Sequence, residues 1–132
     1  GARLDIDGLL AAIDVARQGD AMILHASCHN PTGVDPSPAQ WSEIAAHATA
    51  RGILPIIDFA YQGFGDGLVE DAAAVRAFLH AGGEFLVVDV ELHGAPNVAV
   101  IAGSSEVSRC RQPSSATESR PQHFAVGSTE RR

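Results

Sequence analysis

With 132 residues, 45% of them hydrophobic, the chain has the size and composition of one modest soluble domain. No apolar run approaches the roughly 20 residues that a membrane-spanning helix needs, and residues 1–92 hold 13 Asp/Glu against 4 Arg within an overall charge of −7, so neither a membrane nor a nucleic acid is an expected partner. All nine basic residues are Arg, so the chain lacks lysine and with it any chemistry that needs a side-chain primary amine.

Leu9, Leu10, Ile13 and Ala16 recur at helical spacing behind Asp5 and Asp7, which predicts a helix near 6–17. Gly19-Asp20 ends it, and Ala21-Met22-Ile23-Leu24 is the short apolar run of a doubly covered strand. The loop "HASCHNPTGVDP" follows. Ser37-Pro38-Ala39-Gln40 then combines a capping Ser, a Pro at the first helical position and a Gln that completes a capping box. That helix runs through Trp41, Ile44, Ala45 and Ala48 to Gly52, a left-handed stop. Ile53-Leu54-Pro55-Ile56-Ile57 reads as a second strand whose Pro places it at an edge or within the first residues. Past the loop "DFAYQGFGDG", Val69, Ala72, Ala73, Arg76, Ala77 and Leu79 mark a third helix closed by Gly82-Gly83, and Phe85-Leu86-Val87-Val88 a third strand. Strands alternating with helices predict parallel βαβ units, in which ligands gather at the carboxyl ends of the strands.

The remainder is different in kind. Residues 103–132 carry seven Ser against three in the preceding 102, together with five of the nine Arg. Little apolar periodicity is left to offset ordering entropy, so this part is expected to be disordered. Cys28 and Cys110 stand far apart in dissimilar contexts, which argues against a disulfide scaffold and fits a reducing, cytoplasmic setting. The N-terminus has no Met, no basic stretch and no apolar leader core, so no secretory signal is expected and the sequence reads as beginning inside a longer protein.

Chemistry-bearing residues collect at two strand ends: His25, His29 and Asn30 after the first, Asp58 and Tyr61 after the second. Neighbouring strands lie about 5 Å apart, so the two sets fall within side-chain reach. A carboxylate at a strand tip, supported by an imidazole, suits a protonated heterocyclic nitrogen. An amide and a phenol nearby suit one oxyanion. Those needs match a pyridinium cofactor whose ring withdraws electrons.

Read together, "HASCHNPTGVDP" and "PIIDFAYQGFGDG" resemble the aspartate and aromatic amino-acid aminotransferases, which are class I, fold-type I pyridoxal phosphate enzymes, over about residues 5–88. The resemblance implies an α/β fold. It would be a partial three-layer sandwich with a mostly parallel sheet, residues 1–88 being a fragment of the large cofactor-binding domain and 89–132 a divergent, disordered or out-of-frame tail. It implies pyridoxal 5′-phosphate as cofactor, amino acids and 2-oxo acids as substrates, and a homodimeric parent enzyme. Asn30 and Tyr61 would then hydrogen-bond the cofactor's phenolic oxygen, Asp58 would pair with its ring nitrogen, and His25 would support Asp58 from behind. Pro31 and Gly33 would fix the turn that presents Asn30, with a cis Asn30–Pro31 peptide as one way to do so.

The family's Schiff-base lysine, set in a Ser-x-x-Lys-Asn stretch, has no counterpart in Val87-Val88-Asp89-Val90-Glu91-Leu92-His93-Gly94. No catalytic residue is therefore expected, and the chain alone is expected to be inactive. The change of character near Val88 has the form of a reading-frame shift or chimeric end. The alternative reading is a non-catalytic truncated product or interaction module that keeps part of the fold.

Several residues have plainer readings. His29 stays open between site and loop. His47, His80, His93 and His123 read as surface residues without metal-ligand spacing. Cys28 reads as a small buried apolar residue and Trp41 as helix packing. Asp66, Glu70 and Asp71 read as a solvated face with helix N-terminal charge.

Overall fold

The computed structural model describes residues 3–90, 96–102 and 106–110, the last two segments and 89–90 as backbone. Helix α1 (Ile6–Val15) leads into strand β1 (Ala21–His25), helix α2 (Pro38–Arg51), strand β2 (Leu54–Asp58), a short 3-10 turn (Glu70–Ala72), helix α3 (Ala73–Ala81) and strand β3 (Phe85–Val90). Two further strands follow, β4 (Pro96–Ala102) and β5 (Glu106–Cys110).

Helix ends follow local chemistry. Asp5 caps α1 by accepting the Gly8 N–H at 2.9 Å. Ser37 and Gln40 form the reciprocal capping box of α2, with Pro38 inside it. Gly52 (φ +64°) and Gly82 (φ +75°) close α2 and α3 in the left-handed conformation that glycine adopts without a Cβ clash.

The sheet order is β1-β2-β3-β4-β5. β1 pairs with β2, and β2 with β3, in parallel; β3–β4 and β4–β5 are antiparallel. Two successive crossovers of the same hand, joining β1 to β2 to β3, put α2 and α3 on one face. Beneath them lie Pro55, Ile57, Phe85 and Val87, all buried. Trp41, Ile44, Ala45 and Ala48 of α2 and Ala74, Val75 and Phe78 of α3 complete this core, with Ile13 of α1 beside them. Each large apolar side chain removed from water there contributes about 1.5–3 kcal/mol. Trp41 is thus packing, as its helical spacing implies. The opposite face, carrying Ile23, Leu54, Ile56 and Leu86, has no helix of the described residues over it, and Ile23 is 70% exposed. The sheet and one helical layer of the expected sandwich are present.

Pro55 lies in a strand with neighbours on both sides. Leu54 turns its N–H toward β1, bonding the Asp20 carbonyl at 2.8 Å, so the position of the N–H missing at Pro55 faces β3. Pairing with β3 begins one residue later, at Ile56, and no ladder bond is lost.

The segment read as a tail holds two strands, β4 and β5. Asn97-Val98-Ala99-Val100-Ile101 is a β-branched apolar run, and the free edge of β3 offers it a ladder. The stretch 111–132, with His123, and the stretch 91–95, with His93, lie outside the described residues.

Candidate functional site

The parallel register sets His25 directly opposite Asp58 at the tips of β1 and β2. Ladder bonds continue one residue past each tip, Ala26 N–H to the Asp58 carbonyl and Phe59 N–H to the Val88 carbonyl, both at 2.8 Å. The two departing loops therefore start from a rigid base.

The first loop is organised by Asp35. Its two carboxylate oxygens accept the Cys28 N–H at 2.7 Å and the His29 N–H at 2.8 Å. Cys28 sits at φ +52°, a conformation uncommon for a non-glycine residue, and is half-buried where the sequence predicted a buried residue. The Asp35 bond to its N–H favours that geometry. Gly33 (φ +64°) returns its N–H to the His29 carbonyl at 2.7 Å, and His29 Nδ1 lies 2.7 Å from the Thr32 hydroxyl. His29 is thus tied into its own loop. The Asn30–Pro31 peptide is cis.

Asn30 directs its backbone N–H to His25 Nδ1 at 3.3 Å. With Nδ1 an acceptor, the neutral ring carries its proton on Nε2, which faces Asp58 Oδ2 at 3.9 Å. The other Asp58 oxygen accepts the Ala60 N–H at 3.0 Å. One imidazole therefore stands between the backbone of Asn30, which it accepts from, and the carboxylate of Asp58, which its other nitrogen faces. The His25 and His29 rings lie 4.8 Å apart, centroid to centroid.

The second loop carries Tyr61, whose carbonyl accepts the buried Ser27 hydroxyl at 3.5 Å and so meets the first loop. Tyr61 is 43% exposed. Neither the Asn30 carboxamide nor the Tyr61 hydroxyl has a partner among the described residues. The structure thus joins Asn30 to His25 by a backbone hydrogen bond and sets the His25 ring 3.9 Å from the Asp58 carboxylate, and Tyr61 enters through its backbone.

The residue that sequence reasoning misplaced is Asp71, which is 6% exposed and not part of a solvated face. Its Oδ2 accepts the N–H groups of Gly63 at 2.8 Å and Gly65 at 3.0 Å, and its Oδ1 that of Asp66 at 2.9 Å. Burial pushes this carboxyl up, but the backbone donors of Gly65, Gly63, Asp66 and Gly67 outweigh it and hold it below its ordinary 3.8. The available signal was Gly63-x-Gly65-x-Gly67 just ahead of the acid: three glycines leave room for a carboxylate to approach the backbone.

Whether these tips suit a flat cationic heterocycle turns on the donor set. Among the described residues, Asp58 offers a carboxylate with no Arg bridged to it, and Asn30 and Tyr61 offer an amide and a phenol without partners. A ring with a protonated nitrogen and an anionic oxygen needs those groups, and the residues fit it.

The family model for class I and II aminotransferases matches residues 1–90. The chain is 51% identical over 84 residues to an aspartate aminotransferase of Haemophilus influenzae, covering 64% of this chain and 21% of that protein. It is 55% identical over 76 residues to an aromatic-amino-acid aminotransferase of Pseudomonas aeruginosa, covering 58% and 19%. Among solved structures, an aromatic-amino-acid aminotransferase from Burkholderia pseudomallei, covalently bound to pyridoxal phosphate, superposes with a TM-score of 0.71 at 37% identity, covering 76% of this chain and 27% of that one. The chain spans about a fifth of the length of these curated relatives.

Proposed function

Since the chain belongs to the class I and II aminotransferases, we propose that it supplies the pyridine-ring edge of a pyridoxal 5′-phosphate site. The parent enzyme would move an amino group from aspartate or an aromatic amino acid to a 2-oxo acid. The observation that carries this is the bridge at the strand tips: Asn30 N–H on His25 Nδ1, and His25 Nε2 facing Asp58.

The cofactor, when bound, supplies an electron-withdrawing ring that takes up charge from a substrate carbon. Asp58 keeps a proton on the ring nitrogen through a charge-assisted bond. His25 steadies that carboxylate, and because its tautomer is set by Asn30, it presents a donor to Asp58 rather than a competing lone pair. Asn30 and Tyr61 direct the amide and the phenol at the ring's phenolic oxygen. They favour its anionic form. This division asks the chain only to bind and orient. It contains no lysine, so the amine that would anchor the cofactor and carry the proton must come from elsewhere, and the 132 residues alone are inactive. A cytoplasmic homodimer is the proposed setting of the parent. The lack of lysine also favours a second reading, a non-catalytic product that keeps this part of the fold.

Pyridoxamine 5′-phosphate, which needs no lysine to bind, tests the site. Titrated at millimolar concentration into the isotope-labelled chain, it is expected to shift the NMR signals of the Asn30 carboxamide, the His25 ring and the Tyr61 ring, and to lose these effects in Asp58→Ala. Signals that stay in place in the wild-type chain would sink the cofactor reading and leave the non-catalytic one. Transamination by the chain alone would overturn the claim of inactivity.

A further inference from the structure

Resting on the reading that Tyr61 meets the ring's phenolic oxygen, we propose that Asp71 is the positioning residue that fixes Tyr61 in place. Asp71 lies ten residues further along the chain, and its carboxylate acts only through the backbone. The loop between Asp58 and Glu70 contains Gly63, Gly65 and Gly67, the first at φ +89° and the last at φ +138°. Such a loop has many conformations to lose, and its glycines add none of the side-chain packing that would restrict it.

Asp71 restricts it, beside the Gln62 side chain, whose Nε2 donates to the Leu68 carbonyl at 2.8 Å. Its carboxylate gathers the Gly63, Gly65 and Asp66 N–H groups, while its own N–H returns to the Gly67 carbonyl at 2.9 Å. The first clamped N–H is only two residues from Tyr61. On the other side, the Tyr61 carbonyl accepts the Phe64 N–H at 3.1 Å and the Ser27 hydroxyl, and the Gln62 N–H reaches the Phe59 carbonyl at 3.3 Å. Tyr61 is bracketed between the tip of β2 and the Asp71 clamp.

The fit is close. A Cβ on Gly65 would stand 2.7 Å from Asp71 Oδ1, an oxygen that cannot retreat without releasing the Asp66 N–H. The net depression of the Asp71 carboxyl means that the charged form is the one these donors stabilise. Asp71 sits on the turn that opens α3, so the loop is registered against the helical layer and not merely against itself.

Tyr61 is the one tyrosine of the sequence and Trp41 the one tryptophan, so each reports without interference. The test follows the Tyr61 ring by NMR in the wild-type chain, in Asp71→Asn and in Gly65→Ala, with and without pyridoxamine 5′-phosphate. Trp41 emission checks the fold. Expected in Asp71→Asn with Trp41 emission unchanged are at least tenfold faster amide exchange at Gly63, Gly65 and Asp66, Tyr61 ring signals moved toward those of a free tyrosine, and at least a threefold smaller ligand-induced shift at Tyr61. The shift at the His25 ring should persist, which general unfolding would not permit. If Asp71→Asn does not fold, Gly65→Ala disturbs the same clamp with the charge kept and gives the deciding result. An unchanged Tyr61 ring in the folded variants overturns the proposal even if the ligand binds. A wild-type Tyr61 blind to the ligand, yet released by Asp71→Asn, would leave Asp71's hold on Tyr61 supported and sink the cofactor reading instead.

Discussion

The two loops that leave the strand tips solve one problem by different means. Each must hold a side chain steady over an open edge, and each uses a carboxylate that accepts backbone N–H groups. In the first, Asp35 is exposed and takes two donors, from Cys28 and His29. There Pro31 and Pro36 already limit the backbone, and the acid completes a conformation that the covalent structure has narrowed. In the second no proline is present and three glycines are. Its acid, Asp71, is buried and takes three donors from the backbone of Gly63, Gly65 and Asp66. A chain that begins with more freedom needs a stronger anchor, and burial strengthens each bond by excluding water.

Perturbing the anchors ranks them. Asp71→Ala leaves three loop N–H groups without their acceptor and is expected to cost about 3 kcal/mol in urea denaturation followed by Trp41 emission. A loss no larger than that of the Asp35 variant would erase the contrast between the loops. Gly65→Ala introduces a Cβ 2.7 Å from Asp71 Oδ1 and is expected to cost about 2 kcal/mol through overpacking. Gly33→Ala separates a different cause, since nothing lies within 4 Å of its Cβ position and only the φ of +64° resists a side chain. Its expected cost is about 1 kcal/mol, with neighbouring amide signals unmoved. Asp35→Asn, at an exposed site open to water, should cost under about 1 kcal/mol.

Acid sharpens the same comparison. The folded-state carboxyl of Asp71 lies below its ordinary 3.8, so the unfolded chain takes up a proton first as pH falls. Its contribution to stability is complete above that value and is lost as pH drops through the depressed one. Amide protection at Gly63, Gly65 and Asp66 should therefore weaken only as pH falls below 3.8 and be lost through the depressed value, and the Asp71→Asn chain should show no such step. The groups facing this carboxylate are backbone donors, so no second titration is expected to blur it.

The elements were largely legible because their signals are local. Ser37-Pro38-Ala39-Gln40 spells out the start of α2, and Gly52 its end, within the reach of a single turn of helix. The apolar runs of β1, β2 and β3 and their alternation with helices gave the parallel order. The first site cluster was also readable, since residues at equivalent tips of neighbouring strands must lie side by side; His25 opposite Asp58 follows from that rule. The β4 and β5 pairing was not readable, because the short β-branched run of β4, just ahead of the Ser- and Arg-rich stretch, needed the edge of β3 to become a strand.

By itself, then, the sequence determined where the helices and the three parallel strands lie, which polar residues fall at the strand tips, and that no lysine is present. The tertiary structure alone decided that Asp71 faces inward, that His25 accepts from Asn30 while facing Asp58, and that the sheet carries helices on one face. The reason is range. Caps, turns and periodicity act between residues a few positions apart, whereas a carboxylate's burial and an imidazole's tautomer depend on which distant backbone groups the packed chain brings to them.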